Sequence, residues 1–300
     1  MSGVADTAGA VLVTGATGNV GAAVVMHLLE RGEPVVSAVR DLGDPGLVPG
    51  SEARAFDFEN PAGWEAALAG IDRVFLLRPP AIADVQQHLL PFVDRALEHG
   101  VRHIVFLSLQ GVQVNRATPH HPGEKHLRAR KAPFTFLRPN FFMQNLSTTY
   151  AGDIRDRDGI AVPAAGARTA FIDTDDIGRV AAHVLTEPGH LGRAYTLSGE
   201  QSLTYDDVAR VLTAELGRPI CYTRPSPAQY TELLRERGAP EDYIEVQSMI
   251  YKVVRLRVSA LPNRAIRRIT GAPATHFAQF AHRERAAWMP PEGERSARVR

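Results

Sequence analysis

The chain contains 300 residues, which suits one large domain or a nucleotide-binding domain with a smaller lobe. Its 34 basic and 33 acidic side chains give a net charge of +1, so charge supplies no reason to expect a nucleic acid or an anionic membrane as the main partner. The single cysteine, Cys221, excludes an intrachain disulfide and a cysteine-based metal site, and no run of about 18 apolar residues is present. We therefore expect a cytoplasmic protein without metal, nucleic acid or membrane partners.

The first predicted element is a short buried strand, Ala10 to Val13, followed by a turn with three glycines spaced G-x-x-G-x-x-G. A helix with apolar residues at helical spacing comes next, beginning at Asn19 or Val20 and ending near Glu30. Such a turn can seat a pyrophosphate, because glycine lets the backbone approach the ligand while free N–H groups and the helix dipole face its charge. The alternative is a turn that needs glycine for steric reasons alone. The residues predicted to hold a dinucleotide here are Gly15, Thr17, Gly18, Asn19, Val20 and Gly21.

Strands and helices alternate from residue 10 to residue 140. Apolar runs predict further strands at 33–40, 53–57, 72–77, 101–107 and 133–137, with helices at 60–70 and 83–99 between them. Parallel strands need helical crossovers, so this alternation predicts an α/β fold with a doubly wound parallel sheet of the Rossmann type. In such a sheet ligands bind beyond the carboxyl ends of the strands.

The pattern loosens after Tyr150. We predict a loop between short strands at 159–166, strands at 170–173 and 194–197, and helices from 175 to 185, from about 204, over most of 226–251 and over 276–288. The predicted organisation is therefore an NAD(P)-binding domain at 1–150, a smaller mixed α/β substrate lobe at 151–290 that is intertwined with it, and a flexible tail at 291–300.

Several predicted cofactor contacts follow strands. Arg40 ends the second strand, where the adenosine ribose lies in dinucleotide folds, and an arginine there suits a 2′-phosphate. The alternatives are a surface pair with Asp41 and an Asp41 carboxylate that itself binds the ribose. Asp57 and Phe58 follow the third strand and border the adenine, or else form a turn and part of the core. Leu77 and Arg78 leave the fourth strand against the ribose and the pyrophosphate, although the prolines after them also stop a strand.

The fifth strand is followed by Ser108 and, further on, by Lys125, one of only three lysines in an arginine-rich chain. Lys125 is a candidate to hold the nicotinamide ribose, the alternative being a solvated helix lysine. His121 lies four residues earlier and is a candidate proton donor or a bystander. Pro122 and Gly123 argue against a continuous helix through this stretch.

The sixth strand leads into Pro139, Asn140 and Phe141, whose backbone we expect to face the nicotinamide. Phe142 and Met143 form an apolar substrate wall or belong to the core. Tyr243 and Met249 supply a lid over the substrate, or they lie on an ordinary buried helix face.

Taken together, these motifs resemble the NmrA-like branch of the atypical short-chain dehydrogenase/reductases. The matching segments are Thr14–Gly21 (TGATGNVG), Val39–Asp41, Asp72–Leu77, Phe134–Asn145, Phe171–Ile177 and the stretch from Gly271 through Trp288. The resemblance implies a Rossmann-type domain that binds NADP(H) in preference to NAD(H), a small C-terminal substrate lobe, and reduction of a quinone or carbonyl.

One position departs from the wider short-chain reductases. Their Tyr-x-x-x-Lys pair corresponds here to His121 through Lys125, so lysine is kept and the tyrosine proton donor is absent. We assign the proton to His121 or to water.

The predicted function is NADPH-dependent reduction of a small apolar carbonyl, quinone or enone by a monomer or homodimer. Two alternatives stay open. One is a non-catalytic NADP(H) sensor, and the other is an isomerase, dehydratase or cyclase that uses NADP without net redox change.

Overall fold

The computed structural model describes residues 9–80, 82, 84–116 and 118–290, and the tail predicted at 291–300 lies outside these residues. The chain passes repeatedly between two structural units. The first comprises the chain up to Pro139 together with Thr174–Leu197 and Ala265–Ala272. The second comprises Asn140–Asp173, Ser198–Arg264 and the described part from Pro273 onward. Two segments that follow the predicted boundary at residue 150, Thr174–Leu197 and Ala265–Ala272, belong to the first unit.

Seven parallel strands form the central sheet of the first unit, in the order β3-β2-β1-β4-β5-β6-β8. A second sheet, in the other unit, pairs β7 with β9. The described strands are β1 (Ala10–Thr14), β2 (Val35–Val39), β3 (Glu52–Ala55), β4 (Ile71–Leu77), β5 (His103–Leu107), β6 (Phe134–Pro139), β7 (Gly159–Ile160), β8 (Arg193–Leu197) and β9 (Cys221–Tyr222). The predicted α/β fold with a doubly wound parallel sheet is confirmed.

The helices supply the crossovers between parallel strands. The described α-helices are α1 (Asn19–Glu30), α2 (Trp64–Leu68), α3 (Val85–Glu98), α4 (His120–Ala129), α5 (Gln144–Ser147), α6 (Ala151–Arg157), α7 (Thr174–Thr186), α8 (Tyr205–Leu216), α9 (Pro227–Glu236), α10 (Glu241–Arg255), α11 (Ala265–Thr270) and α12 (Phe277–Arg283). None of them has the length and apolar content needed to cross a bilayer.

The main core of the first unit lies between the sheet and the helices α2, α3 and α4. Strands β1, β4, β5 and β6 contribute buried apolar side chains that are covered by Phe92 of α3 and Leu127 of α4. The rings of Phe56, Phe58 and Trp64 surround Phe92 edge-on at 4.8–5.5 Å between centroids. Helices α1 and α7 pack against each other and also contact the sheet, α1 at β1 and β2 and α7 at β5 and β6. The central strands are therefore buried along most of their length.

The second unit has its own apolar core, built from α8, α9, α10 and α12 and the segments between them. Helix α8 begins where the sequence predicts, because Thr204 caps it: the Asp207 N–H donates to the Thr204 hydroxyl, and the Thr204 N–H donates to the Asp207 carboxylate. Trp288 is fully buried and donates its indole N–H to the Leu146 carbonyl at 2.7 Å.

Three predicted elements differ from the structure. Residues 170–173 form no strand: Ile172 makes one isolated bridge, with Phe142, and Thr169, just before this stretch, makes another with Leu203. The predicted helix at 276–288 is divided into α12 and a 3₁₀ turn, Arg285–Trp288. The predicted strand at 194–197 belongs to the central sheet as β8, beside β6, and not to the smaller lobe.

Candidate cofactor site

The three glycines of the turn after β1 differ in what their surroundings require. Gly15 has a positive φ of 64°, which L side chains rarely adopt, and a Cβ there would lie 3.0 Å from Leu77 Cδ2. A Cβ on Gly21 would lie 2.0 Å from the Gly15 carbonyl oxygen, so glycine is required for the turn and α1 to pack together. A Cβ on Gly18 would meet only that oxygen, at an ordinary 3.5 Å. Steric need therefore explains Gly15 and Gly21 but not Gly18.

The N-terminus of α1 is suited to an anion. Gly18 is its N-cap residue, and among the described residues no side chain caps the first N–H groups. The first turn carries no acidic residue, so the positive end of the helix dipole is not neutralised locally. Gly18 and Asn19 are exposed, whereas Val20 is buried and anchors the helix. Thr17 is half-buried beside the loop after β2, where a Cβ on Gly46 would lie 3.1 Å from Thr17 Cβ.

Arg40 follows β2 at the carboxyl edge of the sheet and is exposed. Its guanidinium takes part in no hydrogen bond or ion pair with the residues that the structure describes. The surface pair with Asp41 that the sequence left open is not formed, because the Asp41 carboxylate accepts from the Gly43 N–H at 2.8 Å within its own loop. Arg40 is therefore available to bind a phosphate.

Asp57 and Phe58 follow β3 in the arrangement of a turn and a core aromatic. The Asp57 carboxylate accepts from the Glu59 N–H at 2.9 Å, and its carbonyl accepts from the Trp64 indole N–H at 2.8 Å. The ring of Phe58 is 4 % exposed. The structure thus places the Phe58 side chain inside the core rather than on a ligand-facing surface.

Thr14 joins the ends of β1 and β4, the strands at which the chain changes its direction of winding. Its hydroxyl accepts from the Leu77 N–H at 2.8 Å and lies 3.1 Å from the Leu77 carbonyl, to which it donates. The side chain of Leu77 lies against Gly15. The Leu77 side chain therefore packs beside the glycine turn. Arg78 is the first residue after β4.

Ser108, predicted to bind cofactor, lies buried at the end of β5 and donates its hydroxyl to Glu124 Oε1 at 2.7 Å. Glu124 also accepts from Arg138, with Nε to Oε1 at 2.8 Å and Nη2 to Oε2 at 2.5 Å. Glu124 is 5 % exposed, so this is a buried, bidentate ion pair that links α4 to β6. Sequence analysis missed Arg138; an arginine within an otherwise apolar strand was the available signal.

Helix α4 runs without interruption through Pro122 and Gly123, contrary to the prediction. Pro122 is the third residue of the helix. The first N–H groups of a helix have no acceptor within it, so a proline at this position removes no helical hydrogen bond. A Cβ on Gly123 would lie 3.0 Å from the Phe106 ring, so glycine lets α4 pack on β5.

The structure brings His121 and Lys125 together on one face of α4. His121 Nδ1 lies 3.3 Å from the Val112 carbonyl, to which it donates, and Lys125 is exposed one turn later. Both line a surface pocket of about 460 Å³, together with Gln86, Gln113, Arg116 and Pro122. His120, which the sequence analysis did not select, lies on the inner side of the same helix end, with its ring centroid 6.2 Å from that of Phe106.

The remaining predicted residues belong to β6 or to the second unit. Pro139 ends β6, and Asn140 uses its amide within the second unit, donating to the Ser259 carbonyl at 2.9 Å and accepting from the Phe141 N–H at 2.8 Å. Phe142 is half-buried. Met143 is 2 % exposed and lies in the core.

The two predicted lid residues lie on the outer side of α10. Tyr243 is 37 % exposed and Met249 is 42 % exposed, so neither is on the buried face of the helix. That face is formed by Ile244, Tyr251 and Val254. Met249 borders a surface pocket of about 360 Å³ with Tyr230.

Comparison with known proteins places this geometry in context. Residues 7–256 match the model of the NmrA-like family. The chain is 32% identical to an NAD(P)H azoreductase of Xenophilus azovorans over 93% of this chain and 99% of that protein. It is 29% identical to an agroclavine dehydrogenase of Claviceps fusiformis over 93% of this chain and 98% of that protein.

Solved structures agree in fold. The triphenylmethane reductase of Citrobacter sp., complexed with NADP(H), superposes with a TM-score of 0.81 at 23% identity. The match covers 92% of this chain and 100% of that chain. An NADPH-dependent quinone oxidoreductase from Escherichia coli superposes with a TM-score of 0.82 at 23% identity, over 91% of this chain and 99% of that chain. The family match covers both structural units up to residue 256, and the chain belongs to the NmrA-like family.

Proposed function

We propose that this NAD(P)-dependent oxidoreductase uses NADPH to reduce a quinone, an azo compound or an activated carbonyl. The observation that carries the proposal is the turn after β1. There the N-terminus of α1, which has no described capping side chain and no acidic residue in its first turn, adjoins a glycine that packing does not require. The named activities of the relatives, an azoreductase and an agroclavine dehydrogenase, support a reductase in general. The reduction of an apolar carbonyl or enone in particular is our own extension.

The residues at the carboxyl edge of the sheet fit NADPH. The N–H groups at the start of α1 suit a diphosphate. The exposed guanidinium of Arg40, which pairs with none of the described residues, suits the 2′-phosphate that distinguishes NADPH from NADH. Bound NADPH supplies a hydride. Gly15 and Gly21 shape the turn, Leu77 forms its floor, and Lys125 is proposed to orient the nicotinamide ribose.

Loss of the tyrosine found in other short-chain reductases is compatible with these acceptors. A quinone becomes a stabilised oxyanion when it accepts hydride. Hydrogen-bond donors to that oxygen stabilise its charge, so a strong acid is not needed for the hydride transfer. His121 or water then supplies the proton. The second unit, with Phe142, Tyr243 and Met249, is proposed to carry the substrate contacts.

The test is a set of steady-state assays in which NADPH oxidation is followed with a quinone, an azo dye, an enone and a simple ketone. We expect oxidation with the quinone or the azo dye, and NADPH preferred over NADH. Tight NADPH binding with no oxidation in any assay would favour a sensor instead. Conversion of an acceptor with no net loss of NADPH would favour an isomerase, dehydratase or cyclase.

A further inference from the structure

Arg78 is a half-buried cation whose described partners include no carboxylate. Its Nη1 donates to the carbonyls of Pro79 at 2.9 Å and Ile82 at 2.7 Å, with the Pro80 carbonyl at 3.3 Å. Its Nε is buried and has no partner among the residues that the structure describes. Burial lowers the pKa of Arg78, and no neighbouring acid counters that effect. A guanidinium held in this way has a donor and a full charge to offer to a ligand.

His120 is the second polar side chain at this position. Its Nδ1 is buried and has no hydrogen-bond partner in the described part of the chain. Burial first, and then the charge of Arg78, lowers its pKa to about 4, while Glu124 acts in the opposite direction. The imidazole is therefore neutral near pH 7, and one of its nitrogens can donate a hydrogen bond without carrying charge.

The topology explains why these two side chains are neighbours. Arg78 directly follows β4, and His120 begins α4, the helix that leads away from the end of β5. Strands β4 and β5 are paired in parallel, so both side chains lie at the carboxyl edge of the sheet. This is next to the point between β1 and β4 where the winding reverses and where ligands bind in such sheets.

We propose that Arg78 and His120 together form a binding site for an anionic oxygen of a ligand, separate from the N-terminus of α1 and from Arg40. The proposal rests on the proposed function, since it takes the carboxyl edge of the sheet to be the ligand side. His120 would donate a hydrogen bond here, a role distinct from the proton transfer considered for His121, whose Nδ1 is engaged with the Val112 carbonyl.

An oxygen of this chemistry can come from two sources. One is the diphosphate of the bound nucleotide. The other is the acceptor oxygen, which gains negative charge when the acceptor takes a hydride and NADPH is oxidised, and which water then protonates. A guanidinium beside a neutral imidazole N–H stabilises either oxyanion, because both groups donate hydrogen bonds to it and neither changes its protonation state during the reaction.

The test uses the full chain with two variants, Arg78→Met and His120→Phe, which keep approximate size and the ring contact with Phe106. Matched controls are Arg102→Met and His99→Phe, both at the opposite edge of the sheet, where Arg102 pairs with Asp72 and His99 with Glu65. Calorimetry measures the affinities of NADPH and ADP, steady-state assays measure kcat and KM, and thermal unfolding reports whether each variant is folded. Arg78→Lys is the rescue variant because it keeps the charge.

If the oxygen is the diphosphate, Arg78→Met weakens NADPH and ADP by the same factor, about tenfold or more. If it is the acceptor oxygen, both nucleotide affinities stay within about twofold while kcat falls by about tenfold or more in both variants, and Arg78→Lys restores part of it. Either pattern supports the site.

The proposal is overturned if Arg78→Met and His120→Phe match the two controls in nucleotide affinity and in kcat. It is also overturned if their losses are explained by unfolding at the assay temperature and disappear on cooling. A wild-type chain that fails to bind NADPH refutes the proposed function instead, so the two failures are distinguishable.

Discussion

At the scale of single residues, the glycines after β1 show where sequence reasoning reaches its limit. Their spacing predicts the turn, and the structure confirms the strand before it and the helix after it. Spacing alone does not say which glycine serves packing and which leaves room for a ligand. That distinction needs the position of the Gly15 carbonyl, 2.0 Å from a Cβ on Gly21 but 3.5 Å from one on Gly18.

Alanine at Gly18 and at Gly21 should therefore have different effects. Gly21→Ala should lower the free energy of unfolding by about 2 kcal/mol or more, because backbone atoms must move to admit the methyl group. Gly18→Ala should change stability by less than about 1 kcal/mol yet weaken NADPH binding by about tenfold or more, since its methyl group lies on the ligand side. Urea unfolding and calorimetry measure the two quantities. Equal stability losses in both variants contradict the assignment.

Arg40 is the residue that should distinguish NADPH from NADH. Arg40→Ala should weaken NADPH by about tenfold or more and leave NADH within about twofold, because only NADPH carries the phosphate that the guanidinium binds. Arg193→Ala is the control, as Arg193 is an exposed arginine at the other end of the strands, at the start of β8. Equal losses for the two nucleotides would rule out a contact with the 2′-phosphate.

At the scale of elements, α4 is where local propensity misled the prediction. Pro122 and Gly123 are poor helix formers, yet Pro122 falls in the first turn, where it costs little, and Gly123 is needed for contact with Phe106. Sequence alone does not reveal which residue begins a helix when no capping side chain precedes it. Because α4 begins at His120, the Glu124 side chain is buried and that of His120 is half-buried, while Lys125 is exposed to solvent.

The Glu124–Arg138 pair should be a stability element of α4. Glu124→Gln should lower the free energy of unfolding by about 3 kcal/mol, because it leaves the Arg138 guanidinium, 12% exposed, without its counter-charge. The control is Glu98→Gln at the end of α3, a surface acid whose loss should cost under about 0.5 kcal/mol. Urea unfolding at neutral pH compares them, and the account fails here if the two variants lose the same stability.

At the scale of the whole molecule, the alternating pattern sufficed to predict the parallel sheet, since each central strand is an apolar run between glycine, proline or polar residues. It did not suffice to place β8, whose five residues include two that are exposed and two that are only half-buried. The sequence predicts a strand at 194–197 but not its partner, and only the pairing with β6 assigns it to the central sheet. The sequence also did not show which predicted substrate residues are accessible. Met143 is buried whereas Tyr243 and Met249 are exposed, and the spacing of these residues does not predict that difference.

Two histidines whose pKa is lowered by burial should make the chain lose stability in mild acid. Burial is the largest cause that lowers the pKa of His103 to about 4, followed by the charges of His190 and Arg73. Burial also lowers the pKa of His120. The unfolded chain, with ordinary histidines, binds more protons between about pH 6.5 and about pH 4, so stability falls as pH falls through that window. His27, whose pKa is raised chiefly by Asp175, opposes this trend.

His103 should contribute at most about 1.4 kcal/mol per pH unit across that window. His103→Gln, which keeps a donor for the Thr135 hydroxyl, should flatten the pH profile of the free energy of unfolding. His282→Gln, at an exposed position, should leave the profile unchanged. A steep profile that survives in His103→Gln would show that other groups carry the acid sensitivity.

The most direct measurement of the central claim is a calorimetric titration of the purified wild-type chain with NADPH and with NADH. The N–H groups at the start of α1 and the exposed guanidinium of Arg40, neither of which is paired with a side chain in the described part of the chain, predict saturable binding of one NADPH per chain, about tenfold or more tighter than NADH. Folded protein that takes up neither nucleotide at millimolar concentration would contradict the account.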